Sequence, residues 1–91
     1  PDLIIDVVAK KYGLTTERLV GRGRSREVAR PRQIAMYLMR EETETSLPKI
    51  GEALERDHTT VMYGHDKIAD LLERDDKLRR QVMDIKRRLY D

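Results

Sequence analysis

Ninety-one residues set the scale of one domain, whose small core is stable only if its helices pack well. Cysteine is absent, which excludes disulfides and thiolate metal sites and fits a reducing compartment; no apolar run reaches the length of a membrane span and no signal peptide opens the chain. Charged residues make up 40% of the chain yet sum to only +2, so their distribution matters more than their total. Residues 21–32 carry Arg22, Arg24, Arg26, Arg30 and Arg32 against Glu27 alone, which leaves the rest of the chain net negative. Such a patch on a nearly neutral domain is an electrostatic footprint for phosphate, although surface arginines on a solvated loop give the same pattern. The chain opens at Pro1-Asp2 without methionine and reads as a piece of a longer protein.

Every segment with clear periodicity is helical. Leu3, Ile4, Val7 and Val8 form one face of a first helix, which Gly13 ends as a C′ residue. Thr15 or Thr16 caps a short second helix carrying Leu19 and Val20 inward. Gly21 and Gly23 then break the chain around Arg22, making the basic stretch a flexible loop. Pro31 fits the first turn of a third helix, where its missing N–H costs nothing, and Ile34, Ala35, Leu38 and Met39 supply that helix's buried stripe. Ser46 caps a fourth helix with Pro48 in its first turn. After a turn at Glu55-Arg56, Asp57 caps a fifth, in which Val61, Gly64, Ile68 and Leu71 recur at helical spacing. Asp75 or Asp76 starts a last helix with Leu78, Val82, Ile85 and Leu89 on one face. No segment alternates with the period of a strand, and there are no repeats. The expected fold is all-α: one compact bundle of about six helices containing a helix-turn-helix behind a basic loop.

A helix-turn-helix needs its two helices to cross steeply with their backbones close. Gly51 and Gly64 permit that approach, and Ile50, Leu54 and Val61 would fill the angle. An ordinary helical hairpin shares this spacing, so the polar start of the fifth helix is the stronger signal. Asp57 can accept from a cytosine amino group, Thr59 can offer its methyl to thymine, and His58 can hydrogen-bond a base or a phosphate. Thr60 and the N–H groups at the helix start can hold a phosphate oxygen. The bland alternative is that Asp57 only caps and the threonines only cover a surface turn; for Asp57 both roles are compatible. Arg24, central in the glycine-flanked loop, can enter a narrow minor groove. Arg32, Gln33 and Arg40 on or beside the third helix, and Lys67 on the fifth, can clamp backbone phosphates.

The runs Arg24-Ser25-Arg26, Val28-Ala29-Arg30-Pro31-Arg32-Gln33-Ile34-Ala35-Met36, Ser46-Leu47-Pro48 with Ile50-Gly51, and Arg56-Asp57-His58-Thr59-Thr60-Val61 resemble the carboxy-terminal DNA-binding domains of DnaA, the bacterial chromosomal replication initiators. The resemblance covers nearly the whole chain. It implies sequence-specific binding to short duplex elements, the DnaA boxes of a replication origin. It puts Arg24 in the minor groove, Asp57, His58 and Thr59 in the major groove, and Pro48 on a thymine methyl. Arg26, Arg32, Gln33, Arg40, Thr60 and Lys67 match positions expected at phosphates. Arg40 stands where relatives often carry lysine, and Gly23 where they are often basic, so the loop is less cationic here. The resemblance further implies an upstream AAA+ ATPase domain in the full protein and a cytoplasmic, nucleoid-associated location. The fragment itself has no Gly-rich phosphate loop and is expected to be a monomer that needs no cofactor.

Catalysis finds no support. His58 and His65 lie about 10 Å apart along a helix axis, too far for one metal ion, and no nucleophile constellation is present. The alternative from another class is a helical protein-interaction module with non-specific DNA affinity, docking through the charged outer face of the last helix. The basic patch at residues 21–32, which such a module would not need, speaks against it. Single-stranded nucleic acid is disfavoured because Phe and Trp are absent and Tyr12, Tyr37, Tyr63 and Tyr90 are scattered.

Overall fold

In the computed structural model, which describes residues 2–21 and 26–91, helix starts are set by local side chains. Thr15, Ser46, Asp57 and Asp75 each sit in extended backbone and accept from the N–H three residues on: Arg18 (3.1 Å), Lys49 (3.3 Å), Thr60 (2.8 Å) and Leu78 (3.0 Å). Each cap satisfies one of the donors that a helix N-terminus leaves without a partner. The helices that result are α1 (Asp2–Lys11), α2 (Thr16–Val20), α3 (Arg26–Glu42), α4 (Leu47–Leu54), α5 (His58–Leu72) and α6 (Asp76–Tyr90). Gly13, at φ +67°, closes α1 as expected: the Leu14 N–H reaches the Ala9 carbonyl (2.8 Å) and the Gly13 N–H that of Lys10 (3.3 Å).

The core is organised around α3, which touches α1, α2, α4 and α5. Its residues Ile34, Ala35, Leu38 and Met39 are wholly buried, joined by Met36 and Val28. Ile50, Leu54, Val61 and Ile68 pack against them from α4 and α5. The amphipathic α6 packs on α1 and α5 and buries Leu78, Val82 and Ile85. It is fastened to α1 by Lys11 Nζ–Asp84 Oδ2 (2.8 Å) and by the Tyr12 hydroxyl donating to Gln81 Oε1 (2.9 Å). Among the described residues no helix is long and apolar enough to cross a membrane.

Two sequence expectations need correction. The buried face of α1 is Ile4, Ile5, Val8 and Ala9, with Leu3 59% exposed. The helix is rotated because it must serve α2, α3 and α6 at once. Pro31 is not in the first turn of α3: the helix begins five residues earlier, at Arg26. Pro31 therefore removes an interior bond to the Glu27 carbonyl. Burial of Val28, Pro31 and Arg32 along this stretch holds the extra turn in place.

Candidate nucleic-acid interface

Helices α4 and α5 form the expected pair. Ile50 and Leu54 of α4 and Val61 of α5 are fully buried and belong to one hydrophobic core. The connection is short because α4 ends in a tight αL closure. Glu55 takes φ 54°, ψ 45°; the Arg56 N–H reaches back to the Gly51 carbonyl (2.8 Å) and the Glu55 N–H to that of Glu52 (3.4 Å). The two glycines have different jobs. A Cβ on Gly51 would run into the Arg56 carbonyl, so Gly51 makes room for the turn itself. A Cβ on Gly64 would meet Met36 Sδ and Gln33 Cγ of α3, so Gly64 serves the α3–α5 packing and not the approach of α4.

The start of α5 is open to solvent. Asp57, His58, Thr59 and Thr60 are all exposed, as is Pro48 in the first turn of α4. Asp57 does cap: its carboxylate accepts from the Thr60 N–H, and this bond, with the Thr60 hydroxyl, the Thr59 N–H and the nearby His58, holds its pKa below the usual carboxylate value against the opposing effect of desolvation. One turn farther along, Met62 (46% exposed) and Tyr63 (63% exposed) stand four residues after His58 and Thr59, and so on the same outward face. Sequence reasoning overlooked both, although the helical period from the polar start of α5 points to them.

A second feature lies beside α5. Arg26, Ala29, Arg30 and Gln33 of α3 and Lys67 of α5 line a groove of about 460 Å³. Arg30 Nη1 donates to Gln33 Oε1 (3.3 Å), which braces both side chains on the rim. No carboxylate among the described residues pairs with Arg26, Arg30 or Lys67. Three residues named separately from the sequence thus converge, and Arg30, overlooked as a site residue, joins them. Its signal was the spacing 26, 30, 33, one stripe of a helix.

Other candidates are placed elsewhere. Arg40 is exposed and donates from Nη1 to the Thr45 carbonyl (3.1 Å), just ahead of the α4 cap. Arg24 lies outside the described residues. Arg32 requires a correction. It is 6% exposed, and its Nε donates to the Leu19 carbonyl (2.7 Å) while Nη2 donates to those of Arg18 (3.1 Å) and Gly21 (2.9 Å). Its guanidinium is committed to the C-terminal carbonyls of α2, which a helix cannot satisfy itself, and it is not placed to clamp a phosphate.

A short capped turn, two helices packed on each other across it and an exposed polar start on the second helix define a helix-turn-helix domain, here with a cationic groove at its flank. The family model described as the bacterial DnaA protein helix-turn-helix matches residues 1–68. Chromosomal replication initiator proteins DnaA are similar over almost the whole chain: 53% identity over 97% of it in Chloroflexus aurantiacus, 52% over 100% in Roseiflexus castenholzii and 51% over 98% in Herpetosiphon aurantiacus. The chain belongs to the bacterial DnaA helix-turn-helix family. It spans 19% of the length of each of these three relatives.

Proposed function

We propose that these residues form one DNA-binding domain that recognises DnaA boxes in duplex DNA at a bacterial replication origin and so addresses the initiation machinery to it. The observation that carries this reading is the layout of α5. Its exposed polar start and Lys67 in the cationic groove are nine residues apart, about 14 Å along the helix, close to the roughly 12 Å width of a major groove. A helix lying in that groove presents His58 and Thr59 to base edges while Lys67, with Arg26, Arg30 and Gln33, meets the phosphates at its wall. Asp57 accepts from a cytosine amino group with the oxygen that does not cap, Pro48 touches a thymine methyl, and Thr60 and Arg40 hold phosphates. Arg24 enters the adjacent minor groove. The domain works without cofactor or catalysis, as a monomer, inside a longer bacterial, cytoplasmic, nucleoid-associated protein whose upstream AAA+ ATPase domain supplies assembly.

Fluorescence anisotropy of a duplex carrying a DnaA-type box, against a scrambled duplex of equal composition over a salt series, tests the proposal. A preference for the box that persists as salt rises is the expected result. Equal binding to both duplexes, collapsing with salt, would leave only phosphate attraction and favour a protein-interaction module docking through the outer face of α6.

A further inference from the structure

The end of α2 is where two arginines meet. Arg32 reaches it from α3 through the bonds given above. Arg56 reaches it from the turn between α4 and α5: its Nη2 donates to the same Gly21 carbonyl and its Nη1 approaches that of Val20 (3.4 Å). The same Nη1 also lies on the carbonyls of Leu54 (3.2 Å) and Glu55 (3.0 Å) at the end of α4. One guanidinium therefore ties together the C-terminal ends of two helices, where the backbone dipoles favour a cation. Two like charges are brought close in the process. Burial, and after it the charge of Arg56, lowers the pKa of Arg32; the carbonyls between them hold the pair in spite of that repulsion.

The geography of this clamp matters. Gly21 caps the C-terminal end of α2, directly before the arginine-rich sequence, and Arg56 immediately precedes Asp57, the cap of α5. The two positions are 35 residues apart in the chain, and the clamp fixes one against the other. We propose that Arg56 is a positioning residue, which touches no DNA but holds the reading end of α5 at a set distance from Gly21, where the arginine-rich sequence of residues 22–26 begins, so that both meet one duplex. The inference rests on the DNA-binding function proposed above. Lysine cannot stand in: its single ammonium lacks the planar fork that spans carbonyls of two helices.

The test uses the whole domain with Arg56→Lys and Arg56→Met, titrated onto box and scrambled duplexes over a salt series, with thermal unfolding followed in parallel. Both variants should lose about tenfold or more in affinity for the box, the scale of one lost base contact. Scrambled-duplex affinity and the salt slope should stay as in the unchanged domain, even though Arg56→Met removes the charge. A slope shallower by about 0.9 with equal loss on both duplexes would make Arg56 a phosphate ligand and overturn the proposal. Unchanged box binding by folded variants would overturn it too, as would failure of both variants to fold, which would assign Arg56 to the fold alone. The unchanged domain separates the two claims: if it fails to prefer the box, the DNA-reading function falls, whatever Arg56 does.

Discussion

His65 is the one imidazole with a carboxylate on each nitrogen: Nε2 lies 2.8 Å from Glu41 Oε2 on α3 and Nδ1 3.0 Å from Asp66 Oδ1, while the ring stacks on Tyr37 at 5.2 Å. Only the protonated ring donates from both nitrogens. Partial burial pulls its pKa down, but the hydrogen bonds to Asp66 and Glu41 and their charges outweigh this and raise it above 6.5. A folded-state pKa above the unfolded value adds stability that is fully present below pH 6.5 and fades as pH rises through the folded pKa. The melting temperature of the domain should therefore fall as pH is taken from mildly acidic to mildly alkaline. His65→Gln should remove most of that slope; an identical pH profile in the variant would show that the latch between α3 and α5 carries no weight. Residues of this kind also mark the limit of sequence reading. Residue type marked Arg32, Gln33 and Lys67 as phosphate candidates, and the family resemblance added Arg26, but neither says which way a side chain turns. Arg32 turns inward because α2 ends beside it with unsatisfied carbonyls, and that neighbour is 13 residues away in the chain. Arg26, Gln33 and Lys67 share a groove because α3 packs along α5, which no local pattern contains.

At the scale of elements, four helix starts were legible because capping is local: the cap and its N–H partner are three residues apart. The start of α3 was not, because an extra turn ahead of Pro31 is held by tertiary burial of Val28 and Arg32 and runs against local preference. The turn between α4 and α5 carries two further expectations. Glu55 occupies the left-handed region without being glycine, a conformation that costs an L-residue about 1–2 kcal/mol. After allowance for the greater freedom of glycine in the unfolded chain, Glu55→Gly should stabilise the domain by about 0.5–1 kcal/mol, or about 3–6 °C in melting temperature. A loss of stability would mean that Glu55 makes a contact worth more than its strain. The glycines should behave differently from one another. Gly51→Ala drives a Cβ into the backbone carbonyl of Arg56 and should cost about 2 kcal/mol or more in urea unfolding. Gly64→Ala presses on the mobile end of Met36, and alanine's helix preference offsets about 1 kcal/mol of the strain, so the net change should stay within about 1 kcal/mol. Equal costs at the two positions would contradict the separate roles given to them.

For the whole molecule, the arrangement of charge decides more than its amount. Among the described residues two basic surfaces stand out. One is the groove of Arg26, Arg30, Gln33 and Lys67 beside α5; the other, about 520 Å³, lies on the outer face of α6 among Asp76, Arg79, Arg80, Met83 and Arg87. The second is the larger, yet its charge is partly spent, since Arg79 pairs with Asp76 and Arg87 with Asp84. Exposed pairs of this sort are weak, but they place carboxylates within a strand of phosphates' reach and reduce its attraction. A matched comparison separates the two faces. Arg30→Gln with Lys67→Gln, and Arg80→Gln with Arg87→Gln, each remove two positive charges and bring the formal charge of the domain from +2 to neutrality. Attraction by net charge alone would weaken DNA binding equally in both. Local phosphate contacts predict otherwise: the groove double variant should flatten the dependence of log affinity on log salt by about 1.8, at about 0.9 per contact, while the α6 double variant leaves it unchanged. The opposite pattern would move the duplex to α6 and leave the helix-turn-helix facing away from it.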